Sequence, residues 1–316
     1  MTRRSIVAQP SRPDTPKPQK AGLVRGAAVS SIIVACALVA DLQAADSDRF
    51  AKVKITSAPV AGAVHMLQGA GGNIAASIGP DGTLIVDDQF APLAERIQGH
   101  LNELGGAVPR IVINTHHHGD HTGSNEAFGA EATVIAHDNV RVRLVDAQAP
   151  RTALPVVTFD DRVRVHFNDE AIDIIHMPTG HTDGDSVVWF RGANVIHMGD
   201  HLFVGSYPYI DVDSGGSVAG VMKNLSAVLE MVNNDTRVIP GHGVQSGVEA
   251  IRQAHQLVRD SALLIMRETE AGSSDEAIIA KLASEFPEAG NGFIKPDRWL
   301  SIVRASRTAS RAVEGS

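Results

Sequence analysis

Short apolar runs alternate along this chain with stretches in which apolar residues recur every three or four positions. The runs at 53–55, 64–67, 74–78 and 83–86 are divided by Gly, Pro and Asp, which predicts a meander of strands. Two of the connections, Gln68-Gly69-Ala70-Gly71-Gly72-Asn73 and Pro80-Asp81-Gly82, read as a hairpin tip and a tight turn. Residues 91–104 carry Leu93, Ile97, Leu101 and Leu104 at helical spacing, stopped by Gly105-Gly106. Runs at 110–113 and 134–136 predict strands, and 139–146 a helix. Residues 156–159, 163–167 and 172–175 read as three antiparallel strands linked by acidic turns. Strands follow at 187–190, 195–198 and 236–239, with helices at 218–232, 247–270, 274–286 and 297–312. In a chain of 316 residues this fits one large α/β domain or two small ones.

The first 44 residues break the pattern. Residues 1–25 are basic and Pro-rich without apolar periodicity, and 26–40 form an uncharged apolar stretch closed by Asp41. That stretch is short for a membrane span and suits the core of a signal peptide. Ala40, Ala44 and Ala45 offer cleavage points. Ile33-Val34-Ala35-Cys36 resembles a lipobox, and Thr2-Arg3-Arg4-Ser5-Ile6 resembles a twin-arginine signal. The expectation is a targeting segment at 1–44 and a functional domain at 45–316. The domain would be periplasmic or secreted, meeting a membrane only through that segment or a lipid on Cys36. Cys36 is also the only cysteine, so residues 45–316 have neither a disulfide nor a thiolate ligand. The formal charge is −8, and six of the basic residues but only two acids fall within 1–44. The remainder is therefore more acidic still, which argues against a nucleic-acid partner and leaves a small-molecule substrate.

The densest chemistry lies in Thr115-His116-His117-His118-Gly119-Asp120-His121, directly after the apolar run at 110–113. His116 and His118 are two apart and in extended chain project to one side. Gly119 permits a sharp change of direction that brings Asp120 and His121 round from another angle. Imidazole and carboxylate together suit a borderline cation such as Zn²⁺.

The string His-x-His-x-Asp-His resembles the signature of the metallo-β-lactamase superfamily, without a mismatch, and the resemblance runs from about residue 53 to 304. It implies an α/β fold, a four-layer αβ/βα sandwich with a metal centre at the edge of two packed sheets. His181, in Gly180-His181-Thr182, matches the family's third ligand of a first zinc with His116 and His118. His242, in Pro240-Gly241-His242-Gly243, matches the last ligand of a second zinc with Asp120 and His121. Asp200 falls where the family bridges or completes the pair, and Asp87 where an acid supports the site from behind. Helix capping is a competing role for Asp87. The loop 68–73 would hang over the metals or be a simple turn. His197 and His201 read as structural. Tyr207 and Tyr209, in the loop 205–216, would stand at the rim of the cleft, where a tyrosine touches substrate or lines the wall.

The resemblance implies two Zn²⁺ per chain and attack on an acyl carbonyl by hydroxide, with Asp120 orienting the nucleophile. A histidine at 118 favours zinc over the iron of flavodiiron relatives, which carry a carboxylate there. Many β-lactamases of the family have cysteine or serine at the Asp200 position, and the commonest subclass has lysine where this chain has Phe203. Aspartate at 200 is the form of glyoxalase II-like thioesterases and lactonases. Export keeps β-lactams first in order, followed by lactone or ester and then thioester. A zinc-binding protein without turnover is the alternative outside enzymology.

Overall fold

Consecutive side chains in a strand face opposite sides, so a strand apolar at every position must be covered twice. Val187, Val188, Trp189 and Phe190 are such a run. In the computed structural model Val187 and Trp189 pack into one core cluster, while Val188 and Phe190 pack into another. Leu84 and Val86 likewise face away from Ile85. The structure describes residues 49–314. The expected targeting segment, with Cys36, lies outside them.

Two sheets result. The first contains β1 (Thr56–Ala61), β2 (Val64–Gln68), β3 (Ile74–Gly79), β4 (Gly82–Val86), β5 (Pro109–Ile113), β6 (Thr133–His137) and β7 (Val157–Phe159), in that spatial order. The second contains β8 (Arg162–Phe167), β9 (Glu170–His176), β10 (Ser186–Phe190), β11 (Val195–His197), β12 (Arg237–Ile239) and β13 (Ser246–Gly247), again as sequential neighbours. Val64, Leu84, Ile113 and Ile135 from the first meet Ile172, Val188, Phe190 and Ile239 from the second in a shared core. Helix α1 (Ala94–Glu103) covers the outer face of the first sheet through Ile97 and Leu101. Short helices follow at α2 (Gly119–Thr122), α3 (Asn125–Phe128) and α4 (Asp138–Asp146). The outer face of the second sheet is covered by α5 (Val218–Met231), α6 (Val248–Glu270), α7 (Asp275–Glu285) and α8 (Pro296–Glu314). Helix, sheet, sheet, helix is the four-layer αβ/βα sandwich that the resemblance implied.

One expectation needs correction. The strands at 157–159, 162–167 and 170–176 are not one antiparallel set. β7 pairs in parallel with β6 in the first sheet, and β8 and β9 form the hairpin that starts the second. Phe159 and Phe167 enter the same inter-sheet core from different sheets. Alternation identifies a strand but not its partner, and the Asp160-Asp161 turn carries the chain from one sheet to the other.

The residues of interest gather at one edge because the strands that feed them end there. Asp87 follows β4, His116 follows β5, Asp200 follows β11 and His242 follows β12, while His181 sits in the loop between β9 and β10. Parallel pairing of β4 with β5 and of β11 with β12 sets those carboxyl ends side by side. This is the usual position for a ligand site in such sheets.

Candidate metal centre

Two groups of side chains converge. His116, His118, His181 and Asp200 present ligand atoms within 4.8 Å of one another, and so do Asp120, His121 and His242. The first sheet supplies four of these residues on one loop, and the second sheet supplies His181, Asp200 and His242 from three. The loop turns at His118, which is extended, into the first turn of α2. Gly119 has no side-chain clash to avoid and no left-handed φ. Helix entry, rather than glycine's freedom, swings Asp120 and His121 round.

Four of the five imidazoles are held by their second nitrogen, which fixes the one left for a metal. His116 Nδ1 lies 3.0 Å from Thr115 Oγ1, which donates to Asp87 Oδ2 at 2.8 Å. His121 Nδ1 is 2.7 Å from the same carboxylate oxygen. His181 Nδ1 donates to the Tyr209 carbonyl at 2.8 Å, and His118 Nε2 faces Asp211 Oδ2 at 3.0 Å. Asp87 thus supports both groups, from a left-handed backbone (φ 64°) that a non-glycine residue rarely adopts. Asp87 also accepts the Thr115 N–H at 2.8 Å, and a residue holding three groups at once accounts for that strain better than a helix cap does.

The free nitrogens fit a cation. His118 Nδ1 and His181 Nε2 face each other at 2.8 Å. With their protons committed to Asp211 and Tyr209, both present lone pairs, and a cation between them would relieve the repulsion. His116 Nε2, His121 Nε2 and Asp200 Oδ1 are buried without a well-formed hydrogen bond, which an apo core tolerates poorly. Glycines open the space: a Cβ on Gly72 would lie 2.1 Å from the His121 ring, and one on Gly241 would lie 2.2 Å from Asp200 Oδ1.

Asp200 is central. Its Oδ2 lies 3.8 Å from His116 Nε2, 3.5 Å from His181 Nε2 and 3.3 Å from His242 Nε2, and its Oδ1 lies 3.1 Å from His121 Nε2. Burial opposes its ionisation, but the facing imidazoles, His242 and His121 foremost, outweigh that and hold it well below the usual carboxylate range. Burial pushes His116 well below the ordinary imidazole value and brings His181 to about 3. Both are neutral, the form that ligates. His121 and His242 suffer burial too, yet Asp200 raises both, with help from Asp87 at His121 and Asp120 at His242.

Other expected residues fall as follows. The hairpin tip reaches the centre: Gly72 N–H donates to the Asp120 carbonyl, and the Asn73 side chain donates to the carbonyls of Pro240 and Gly243. His197 Nε2 donates to the Asn73 carbonyl at 2.9 Å. His201 contacts the Asn224 amide at 3.0 Å, so both histidines sit in structural networks. Tyr209 lines the cleft. Tyr207 does not: it is fully buried and stacked on Trp299 with centroids 5.4 Å apart, so its expected place at the rim is corrected. The strand-like bridge of Tyr207 to Ile294 turns its ring into the helical layer, a direction that the loop sequence does not encode. Asp211 and Thr115 went unrecognised as supports. An acid in a rim loop was visible in the sequence, but the imidazole it would meet was not.

The fold and this paired donor set define an αβ/βα sandwich with a candidate two-metal centre at its edge. A family model of the metallo-beta-lactamase superfamily matches residues 79–243, just over half of the chain. The chain belongs to that superfamily. It is similar to the hydroxyacylglutathione hydrolase of Rhodospirillum rubrum, 33% identical over 140 residues, 43% of this chain and 50% of that one. The hydroxyacylglutathione hydrolase of Nitrosococcus oceani is 26% identical over 201 residues, 62% of this chain and 72% of that one. The chain thus spans half the length of the first relative and somewhat more of the second. In fold it is similar to the crystal structure of DIM-1 metallo-beta-lactamase, with a TM-score of 0.58 at 15% identity, covering 66% of this chain and 100% of that one.

Proposed function

We propose that this protein is an exported, dinuclear zinc hydrolase that cleaves esters, lactones or thioesters. The position of Asp200 between two donor groups carries the reading, because one carboxylate within 3.8 Å of four imidazole nitrogens is arranged to compensate two cations. His116, His118 and His181 would hold one zinc, Asp120, His121 and His242 the other, and Asp200 would reach both. Bound zinc would supply electrophilic polarisation of the carbonyl and acidify water at neutral pH.

The protein's own residues do the rest. Asp120, partly exposed at the cleft floor with Oδ2 3.5 Å from His242 Nε2, accepts a proton from the nucleophilic water and orients it. Phe90 and Phe203 give the floor apolar walls that exclude bulk water from the carbonyl. The β-lactam expectation moves down the order. Phe203 stacks on His242 with centroids 4.7 Å apart and an interplanar angle of 18°, filling the place of the lysine in common β-lactamases. The names of the curated relatives favour thioesters and esters instead. Export rests on the basic start and the apolar stretch at 26–40.

The test combines metal analysis with a substrate panel on purified protein. Two zincs per chain and turnover of a thioester, lactone or ester ahead of a cephalosporin are expected. One zinc at saturation, or activity confined to the cephalosporin, would overturn the reading. Mass spectrometry of the native protein should find an N-terminus between 40 and 46 or a lipidated Cys36; an intact Met1 in the cytosol would remove export.

A further inference from the structure

The cleft above the metal centre measures about 870 Å³, and its lining holds two aromatic–arginine pairs. The lining includes Phe90 with Arg49, and Phe293 with Arg298. Arg49 lies over the rings of Phe50 and Phe90, its Cζ 4.9 and 5.1 Å from their centroids, so its face is stacked while its edge is free to donate. Phe293 is 84% exposed, the most exposed large apolar side chain among the described residues. It is held at the lip because its neighbour Ile294 is buried and bridged to Tyr207. An aromatic ring held in water beside a catalytic cleft costs hydration free energy unless a ligand covers it.

Arg298 differs from Arg304 and Arg307 of its helix. Arg304 pairs with Asp275 and Arg307 with Glu270, both at 2.8 Å. Arg298, in the first turn of α8, has no carboxylate partner among the described residues and lines the cleft together with Tyr209. A neutral phenol beside the guanidinium leaves its charge undischarged. Two arginines facing a cleft are notable in a protein of net charge −8, where surface cations are otherwise outnumbered by acids.

We propose that the cleft takes acyl substrates with an apolar body and a carboxylate remote from the scissile bond, the carboxylate being bound by Arg298. This rests on the acyl-hydrolase reading above and narrows it. The body lies between Phe90 and Phe293, and the guanidinium fork meets the carboxylate at the lip. Arg49, also in the lining, adds a favourable field but is already stacked. Glutathione conjugates, with polar peptide bodies, fit these walls less well than aliphatic or aromatic half-esters.

Binding separates this inference from the reading it rests on. Calorimetry on zinc-loaded protein would compare suberate with octanoate, which share a chain length and a metal-seeking carboxylate and differ only in the second. Suberate should bind about threefold to tenfold tighter, as a partly exposed charge-assisted pair allows. Arg298→Gln should abolish the difference and Arg298→Lys should keep part of it. Arg304→Gln, on the same helix but paired elsewhere, should retain all of it. Equal binding of the two acids by wild type, or a difference that survives Arg298→Gln, would overturn the proposal. Turnover of mono-4-nitrophenyl suberate and 4-nitrophenyl octanoate is measured alongside. Failure of both esters counts against the hydrolase reading, while the binding ratio still decides the role of Arg298.

Discussion

The two donor groups share Asp200 but are built differently. The three imidazoles of the first are clamped from outside, two of them by one loop: the Tyr209 carbonyl holds His181, Asp211 holds His118, and the Asp211 N–H donates to the His181 carbonyl. The second group is more open. Asp120 and His242 are 24% and 29% exposed, and His242 leans on the face of Phe203. The His121 ring alone in that group has a buried carboxylate behind it, Asp87. Hydrogen bonds fix an imidazole's tautomer and direction, whereas stacking fixes only its plane. The first group should therefore be preorganised and slow to release metal, and the second adaptable and faster.

Removing what the two groups share has the largest expected effect. Asp200→Ala leaves two cations without their common carboxylate, and kcat/KM should fall on the order of a hundredfold or more, with less than two zincs retained. Full activity with both metals would take Asp200 out of the centre. Asp87→Ala comes next, because it strands His121 Nδ1 and Thr115 Oγ1 in the interior. Each unsatisfied group costs about 1–3 kcal/mol, so thermal stability should drop along with metal affinity at both sites. A loss confined to one site would show that Asp87 does not link them.

Asp211→Ala should split the pair. Metal affinity at the first site should weaken about tenfold, with the second unchanged and Asp211→Asn intermediate, since an amide oxygen still accepts from His118. Competitive chelation in wild type should be biphasic, and the fast phase should disappear in His242→Ala. Loss of the slow phase instead would reverse the comparison. Phe203→Ala should accelerate the fast phase by less than about tenfold, because only a stacking contact is lost.

The smallest effect serves as a baseline far from both groups. Arg164 hydrogen-bonds Asp173 on the β8–β9 hairpin and holds its carboxyl below the usual carboxylate range. A carboxylate with a depressed folded pKa stabilises the fold above its unfolded value, and that contribution is lost as pH falls through the folded one. The melting temperature of wild type should exceed that of Asp173→Asn slightly at neutral pH, with the gap closing as pH falls through the depressed pKa of Asp173. Metal release should not differ between them.

Sequence and tertiary structure divided the work along physical lines. Apolar runs marked strands because a strand buried on both faces cannot carry charge, so the runs at 83–86 and 187–190 were legible. Helical spacing likewise marked α5 to α8, whose apolar stripes seal the second sheet. The His-x-His-x-Asp-His string was legible because its donors lie within one loop, and His181, Asp200 and His242 were reachable only by resemblance. Strand partners were not encoded locally, and β7 was placed by the packing of Phe159 from one sheet against Phe167 from the other. Tyr207 and Tyr209, two residues apart in one loop, looked equivalent. Packing sent the first against Trp299 and left the second on the cleft wall beside Arg298. Only the folded chain decides such directions, because each depends on contacts with residues roughly a hundred positions away, whose energy exceeds any local preference of the loop.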